Sequence, residues 1–228
     1  MMDKYKRVAP LAGVLMVALV VVTLSMPQTP DSNASGEKVV AFFTKHHDAM
    51  NVASSCIVYA GVVAVLYFLS VASFLRRHGS QLLATATGVG GIITASGLLV
   101  GGGMLFAAND AVKHQAPATA QALNILQDDA FVPLMFAGVG IATLCMGVAM
   151  LRTRALPKAL GIITTIVGVA AFSWIGAWFA FLASGPLTLV IAGYVYVRSG
   201  RPDEITLPEV PKARESVETA PAKARAKA

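Results

Sequence analysis

Long uncharged intervals dominate the chain, and the polar residues fall in short blocks between them. No Asp, Glu, Lys or Arg occurs between Arg7 and Asp31, Asp48 and Arg76, Arg77 and Asp110, Asp129 and Arg152, or Lys158 and Arg198. About 20 consecutive apolar residues carry an α-helix across roughly 30 Å of hydrocarbon. The first four intervals therefore predict one span each, at about 8–26, 52–75, 83–108 and 131–151. The fifth, Ala159–Val197, is long enough for two. Ser184-Gly185-Pro186 reads as a turn signal, and Trp174 and Trp178 suit a membrane interface. A tight turn is thus expected somewhere in 174–186, giving spans at about 159–177 and 180–197. The expected fold is all-α, a polytopic bundle of six transmembrane helices over residues 1–198, followed by a tail, 199–228.

The sign of the flanking charges orients this bundle. An inside N-terminus puts Lys4, Lys6, Arg7, Arg76, Arg77, Arg152, Arg154, Lys158 and every basic residue of the tail on one side. Only Lys38, Lys45 and Lys113 are left outside, so the positive-inside rule places both termini in the cytoplasm of a multi-pass plasma-membrane protein. Composition agrees: 56% of the 228 residues are hydrophobic and 13% are charged, against about 25% charged in soluble domains. The lipid bilayer is the expected partner, with a membrane protein or a second copy of the chain beside it. Nothing in the pattern points to nucleic acid or to a cofactor.

Three terminal and pairing questions follow. MMDKYKR before an apolar run resembles a signal peptide, but the run is long for an h-region. Met-Pro-Gln-Thr-Pro, rather than a small-x-small site, comes after it, so an uncleaved anchor is expected. Cys56 and Cys145 fall at depths differing by about 15 Å at 1.5 Å per residue, which predicts two free thiols. The tail is rich in Pro and charge without a period, which predicts disorder. Its final PAKARAKA reads as a solvated segment that helps fix topology; it can also touch anionic lipid, at about 1 kcal/mol per basic residue.

Inside the membrane the pattern offers packing rather than chemistry. TGVGGIITASGLLVGGG lacks the G-x-G-x-x-G spacing and any preceding strand, so it is no phosphate loop. Gly97 and Gly101 form a GxxxG pair that predicts close helix packing, with the third span central and bulky substitutions at either position loosening the fold. No acidic, basic or histidine residue lies within a span, whereas proton-coupled transporters and pumps usually carry them. Hydroxyls such as Ser54, Ser70, Ser173, Thr164 and Thr165 have no base at their depth and are expected to bond the preceding turn. No catalytic residue is assigned.

Polar chemistry collects outside. The first outer loop opens between Pro27 and Pro30, then predicts a helix capped by Ser35 with Glu37 in its first turn. That helix leads into FFTKHHDAM. At 100° per residue Val39, Phe43, His46 and Met50 share a face, as do Val40, Phe43, His47 and Met50, while Asp48 lies opposite. The pattern predicts an amphipathic helix leaning on the membrane surface and feeding the second span. A metal would need ligands from a second segment, because no HxxxH or HxxH pair exists. His46, His47, Asp110, His114, Asp128 and Asp129 are the outer-face candidates for a ligand site or for a histidine charging near pH 6.5.

The assembled pattern resembles a family of six-span bacterial membrane proteins known only as a domain of unknown function. The resemblance lies in PQTPDSNASGEKVVAFFTKHHDAM after the first span, LQDDAF before the fourth and LRTRALPKALG on the inner side. It covers about residues 5–198 and departs at Ala159, where the family carries an aromatic. It implies the six-span topology and no activity. The expected role is an accessory or sensory membrane protein, not an enzyme, acting through its outer loops. The alternative is a transporter of a neutral or lipid-like small molecule.

Overall fold

The computed structural model describes residues 8–114 and 116–199, and each of its regular elements is a helix. The basic N-terminus, the tail beyond Ser199 and the side chain of Trp174 lie outside the described residues. Helix α1 is Ala9–Leu24, its first turn, Ala9–Leu11, tightened to 3-10 geometry with Pro10 at the start. A short helix, α2 (Gly36–Lys45), at the end that the charge pattern predicts to be the outer one, precedes α3 (His47–Arg77) and α4 (Gln81–Ala111). A second outer helix, α5 (Pro117–Leu126), runs through a π-helical stretch, Gln127–Phe131, into α6 (Val132–Thr153). The inner loop leads to α7 (Lys158–Ala170) and then α8 (Trp174–Ser199).

Among the described residues four helices are long and apolar enough to cross a membrane: His47–Arg77, Gln81–His114, Pro117–Thr153 and Ile175–Arg198. Ala9–Leu24 and Lys158–Ala170 are apolar but shorter. The 13 residues of α7 reach about 20 Å at 1.5 Å per residue. Contacts nevertheless align α7 antiparallel to α6: Gly161 meets Leu151 and Met150, Gly168 meets Leu144, and Ala171 meets Gly140. Helix α8 then packs Trp178 on Phe136 (ring centroids 5.1 Å apart) and returns until Arg198 donates to the Ala155 carbonyl of the inner loop.

The last hairpin turns earlier than Ser184-Gly185-Pro186 suggests. The break is Ala171–Ser173, and α8 continues through Pro186. Ser173 makes this start, because its Oγ accepts from the Gly176 N–H at 3.1 Å as an N-cap. Pro186 removes a single intrahelical bond, the one that the Leu182 carbonyl would accept. Unwinding the helix there would bare several more backbone groups in an apolar surrounding, which costs far more than one lost bond. The same logic explains the π-helical stretch. Pro133 cannot donate to Asp129, and the Val132 N–H instead reaches the Gln127 carbonyl, one residue further back.

Backbone contact through glycine holds α4, α6 and α7 together. A Cβ built on Gly90 would sit 2.5 Å from the Ala142 nitrogen, and Gly138 meets the Thr94 backbone reciprocally. Gly147 and Gly168 repeat the arrangement between α6 and α7, against Thr165 and Leu144. Gly97 abuts Met135, with a built Cβ 2.9 Å from the Met135 Cβ. Gly101 differs from the expectation of tight contact: the nearest atom, Phe131 Cβ, is 3.9 Å away, ordinary van der Waals distance. Alanine therefore fits at Gly101 and not at Gly97. The α3–α4 turn uses Gly79 at φ +89°, a conformation open to glycine. Cys56 and Cys145 are both free.

Candidate functional site at the outer face

Both α3 and α4 are 31 residues long, about 46 Å, more than one bilayer crossing requires. Their excess carries a folded outer cap. Ser35 caps α2 by accepting from the Lys38 N–H, with Glu37 in the first turn and Lys45 in the last. Val39, Phe43 and Met50 are fully buried, packed with Ala53, Leu105 and Ala120. The apolar face of α2 is thus covered by α5 and the ends of α3 and α4, where the sequence pattern suggested a helix lying on the membrane surface. Gly36 brings its backbone against Pro117, which sets α2 directly on the start of α5. Gln121 donates to the Ala34 carbonyl at 3.0 Å and Asn124 to the Pro30 carbonyl at 2.9 Å, stitching α5 to the first outer loop.

Under this cap sits a closed polar ring. Asn109, 1% exposed, donates through Nδ2 to the His47 carbonyl at 3.1 Å and to Asn51 Oδ1 at 2.9 Å. Its Oδ1 lies 3.0 Å from His47 Nδ1, and Asn51 Nδ2 lies 3.3 Å from His47 Nε2. With both amide protons of Asn109 committed, only one assignment satisfies every atom. His47 then donates from Nδ1 to Asn109 Oδ1 and accepts at Nε2 from the Asn51 amide. His47 and Asn51 are one turn apart on α3, so the ring fixes the outer end of α4 to two turns of α3. An open depression of about 340 Å³ lies beside it, lined by His47, Asn51, Phe106, Asp110 and Lys113.

The six candidates do not gather at one point, although His47 and Asp110 line the same depression. His46 ends α2 and packs against Phe42 (ring centroids 4.9 Å apart) rather than joining the polar ring of His47. Asp110 pairs with Lys113 at 3.1 Å and approaches His114 at 4.0 Å, all three at the surface. Asp128 belongs to the π-helical stretch before α6, on the outer side of the uncharged run that follows Asp129. Burial, then the neighbouring charges of Asp129 and Asp31, hold its carboxyl above the usual carboxylate range. Among the described residues no group of three or more His, Cys, Asp or Glu is placed to hold a metal ion. The residues that pair with His47 are amides, Asn51 and Asn109. The His-x-x-x-Asn spacing was a visible signal for the first; the second depends on how α3 and α4 align.

A second locus lies within the bundle. A cavity of about 310 Å³ is bounded by α1, α3, α4, α6, α7 and α8, with Val20, Tyr67, Thr94, Val139, Leu182 and Pro186 in its wall. The hydroxyls of Thr94, Thr143 and Thr164 donate to the carbonyl four residues back on their own helices, at 3.0, 2.7 and 2.7 Å. Two buried side-chain atoms among the described residues lack a hydrogen-bond partner, Asn124 Oδ1 in the cap and the Tyr67 hydroxyl in the cavity wall. Against family models, curated proteins and solved structures, the chain shows no significant match.

Proposed function

We propose that the chain crosses the plasma membrane six times with both termini cytoplasmic, and that it works as a non-catalytic accessory or sensory protein through its outer cap. The observation that carries this reading is the amide–imidazole ring of His47, Asn51 and Asn109, which ties the outer ends of α3 and α4 to each other beneath the cap. An event at the cap acts on helices that run without a break to the inner side. The charge distribution supports the orientation, with Arg76, Arg77, Arg152, Arg154, Lys158 and Arg198 gathered at one end. The buried hydroxyls of Ser54, Thr94, Thr143 and Thr164 support the non-catalytic part, since their protons are bound to main-chain carbonyls of their own helices rather than to a base.

The reading is tested in whole cells with a photocrosslinking residue placed at Lys45 or Lys113 on the cap, and at Lys158 on the opposite end. A discrete adduct from the cap positions, lost in an Asn109→Ala background, is expected. Adducts from Lys158 alone would reject the cap as the working surface. Cysteine labelling from outside, positive at Lys38→Cys and negative at Arg77→Cys and Arg198→Cys, tests the orientation. The bundle cavity favours a second reading, carriage of a neutral, lipid-like molecule, because its wall holds no charged residue.

A further inference from the structure

Among the described residues, the Tyr67 hydroxyl is the one fully buried side-chain group of the cavity wall without a hydrogen-bond partner. Its ring is fully buried, and it lies on α3 beside Gly13, where a built Cβ would come within 2.6 Å of the ring. Glycine in α1 therefore makes the space that a tyrosine needs. Thr188 of α8 also faces the ring, and the two hydroxyls approach each other without the geometry of a hydrogen bond. Phenylalanine would fill the same volume with no orphaned donor, so a tyrosine here costs stability unless something accepts its proton. A lone water needs two to four polar partners, and the hydroxyl protons of Thr94, Thr143 and Thr164 are committed to carbonyls of their own helices.

The shape of the space narrows the occupant. A second cavity, about 150 Å³, continues toward the outer side and shares Val20, Leu24, Leu98, Met135 and Phe181 with the first. The two form an elongated cleft rather than a round chamber. Its α1–α8 wall is open on the face that meets lipid: Val21 is 58% and Leu182 60% exposed, yet both line the larger cavity. Pro186 leaves the Leu182 carbonyl without its helical donor in that same wall. Tyr67 lies 10 residues from the inner end of α3, about 15 Å into the helix. A phosphate or carboxylate at that depth, with no cation lining the cavity, would be too costly.

We propose that this cleft binds a long-chain neutral lipophile carrying a carbonyl, which enters between α1 and α8 and accepts the Tyr67 hydroxyl proton. The inference deepens the carrier reading and rests on the cleft being reachable from the membrane. It is tested with the full-length protein in detergent micelles, using methyl palmitate and its matched alkane, heptadecane, as probes. Protein-retained probe is measured by mass spectrometry after gel filtration. The wild type should retain the ester about three- to tenfold over the alkane, the range of one neutral hydrogen bond. Tyr67→Phe should bring that ratio to one while raising the melting temperature of the probe-free protein, because it removes an unpartnered donor. Leu182→Trp, at an exposed position in the entrance, should abolish retention of both probes. Equal retention of the two probes by the wild type, or an unchanged ratio in Tyr67→Phe, overturns the assignment of Tyr67 and leaves the cavity reading standing. Retention of neither probe overturns both.

Discussion

The two sides of the bundle are packed by opposite means. On the α4–α6–α7 side, helices meet backbone to backbone through Gly90, Gly138, Gly147 and Gly168, with no room for a methyl group. On the α1–α8 side, contact is made by larger side chains, Gly193 meets nothing within 4 Å, and a cavity of about 310 Å³ remains. Helices surrounded by lipid gain little from hiding apolar surface from water, so their association depends on close contact. A side without such contact is free to yield. The unpartnered Tyr67 hydroxyl lies on the yielding side, while the fully satisfied ring of His47 crowns α3 and α4.

The largest break in this comparison should come from Gly90→Leu or Gly138→Val. Each forces a side chain into backbone and should cost at least about 3 kcal/mol, the upper range of overpacking, read as lost thermal stability in detergent. Gly193→Ala on the open side should change little or stabilise slightly, through helix propensity of up to about 1 kcal/mol. If both sides respond alike, the distinction is false. Asn109→Ala should rank next, at about 1–3 kcal/mol, because it strands the His47 and Asn51 groups beneath the cap. Faster hydrogen exchange at the start of α3 would accompany it, and unchanged exchange there would show that the ring is dispensable.

Within one helix, Gly97→Ala should destabilise by about 1–2 kcal/mol against Met135, while Gly101→Ala should be neutral or favourable. Thermal melts of the two variants side by side decide this. The smallest effect belongs to Asp128. Its carboxyl is raised in the folded protein, so folding favours the protonated form; the cap gains stability as pH falls and loses it as pH rises past the raised value. Asp128→Asn should therefore protect the cap slightly from proteolysis at neutral pH. The benefit should vanish at about pH 3, where the carboxyl of the unfolded chain is also largely protonated. Equal protection at both pH values would mean that charge is not the cause.

Much of this was legible in the chain because lipid crossing imposes a simple pattern. Runs without charge mark the long helices, and Ser35 with Glu37 marks the start of α2. Helical geometry also separates His46 from His47. The errors arose where a rule for water was applied in lipid. Ser184-Gly185-Pro186 breaks helices when freed carbonyls can find water, yet α8 runs through it, and the turn formed where Ser173 offered an N-cap. The apolar face of α2 was read as facing lipid because no sequence pattern showed α5 folding over it. Asn109 and Tyr67 depend on register between helices, as does the difference between Gly97 and Gly101. Spacing along one helix does not contain that information.

The unbroken length of α3 and α4 has a mechanical consequence. A strut of about 46 Å, pivoting at the inner turn around Gly79, moves its far end by roughly 4 Å for five degrees of tilt. Asn109 meets His47 and Asn51 at distances of 2.9 to 3.1 Å, and no hydrogen bond survives a 4 Å displacement. The pair must therefore swing as one rigid boom. A swing of that size would bear on α6 at Gly90 and Gly138, where backbone lies directly against backbone.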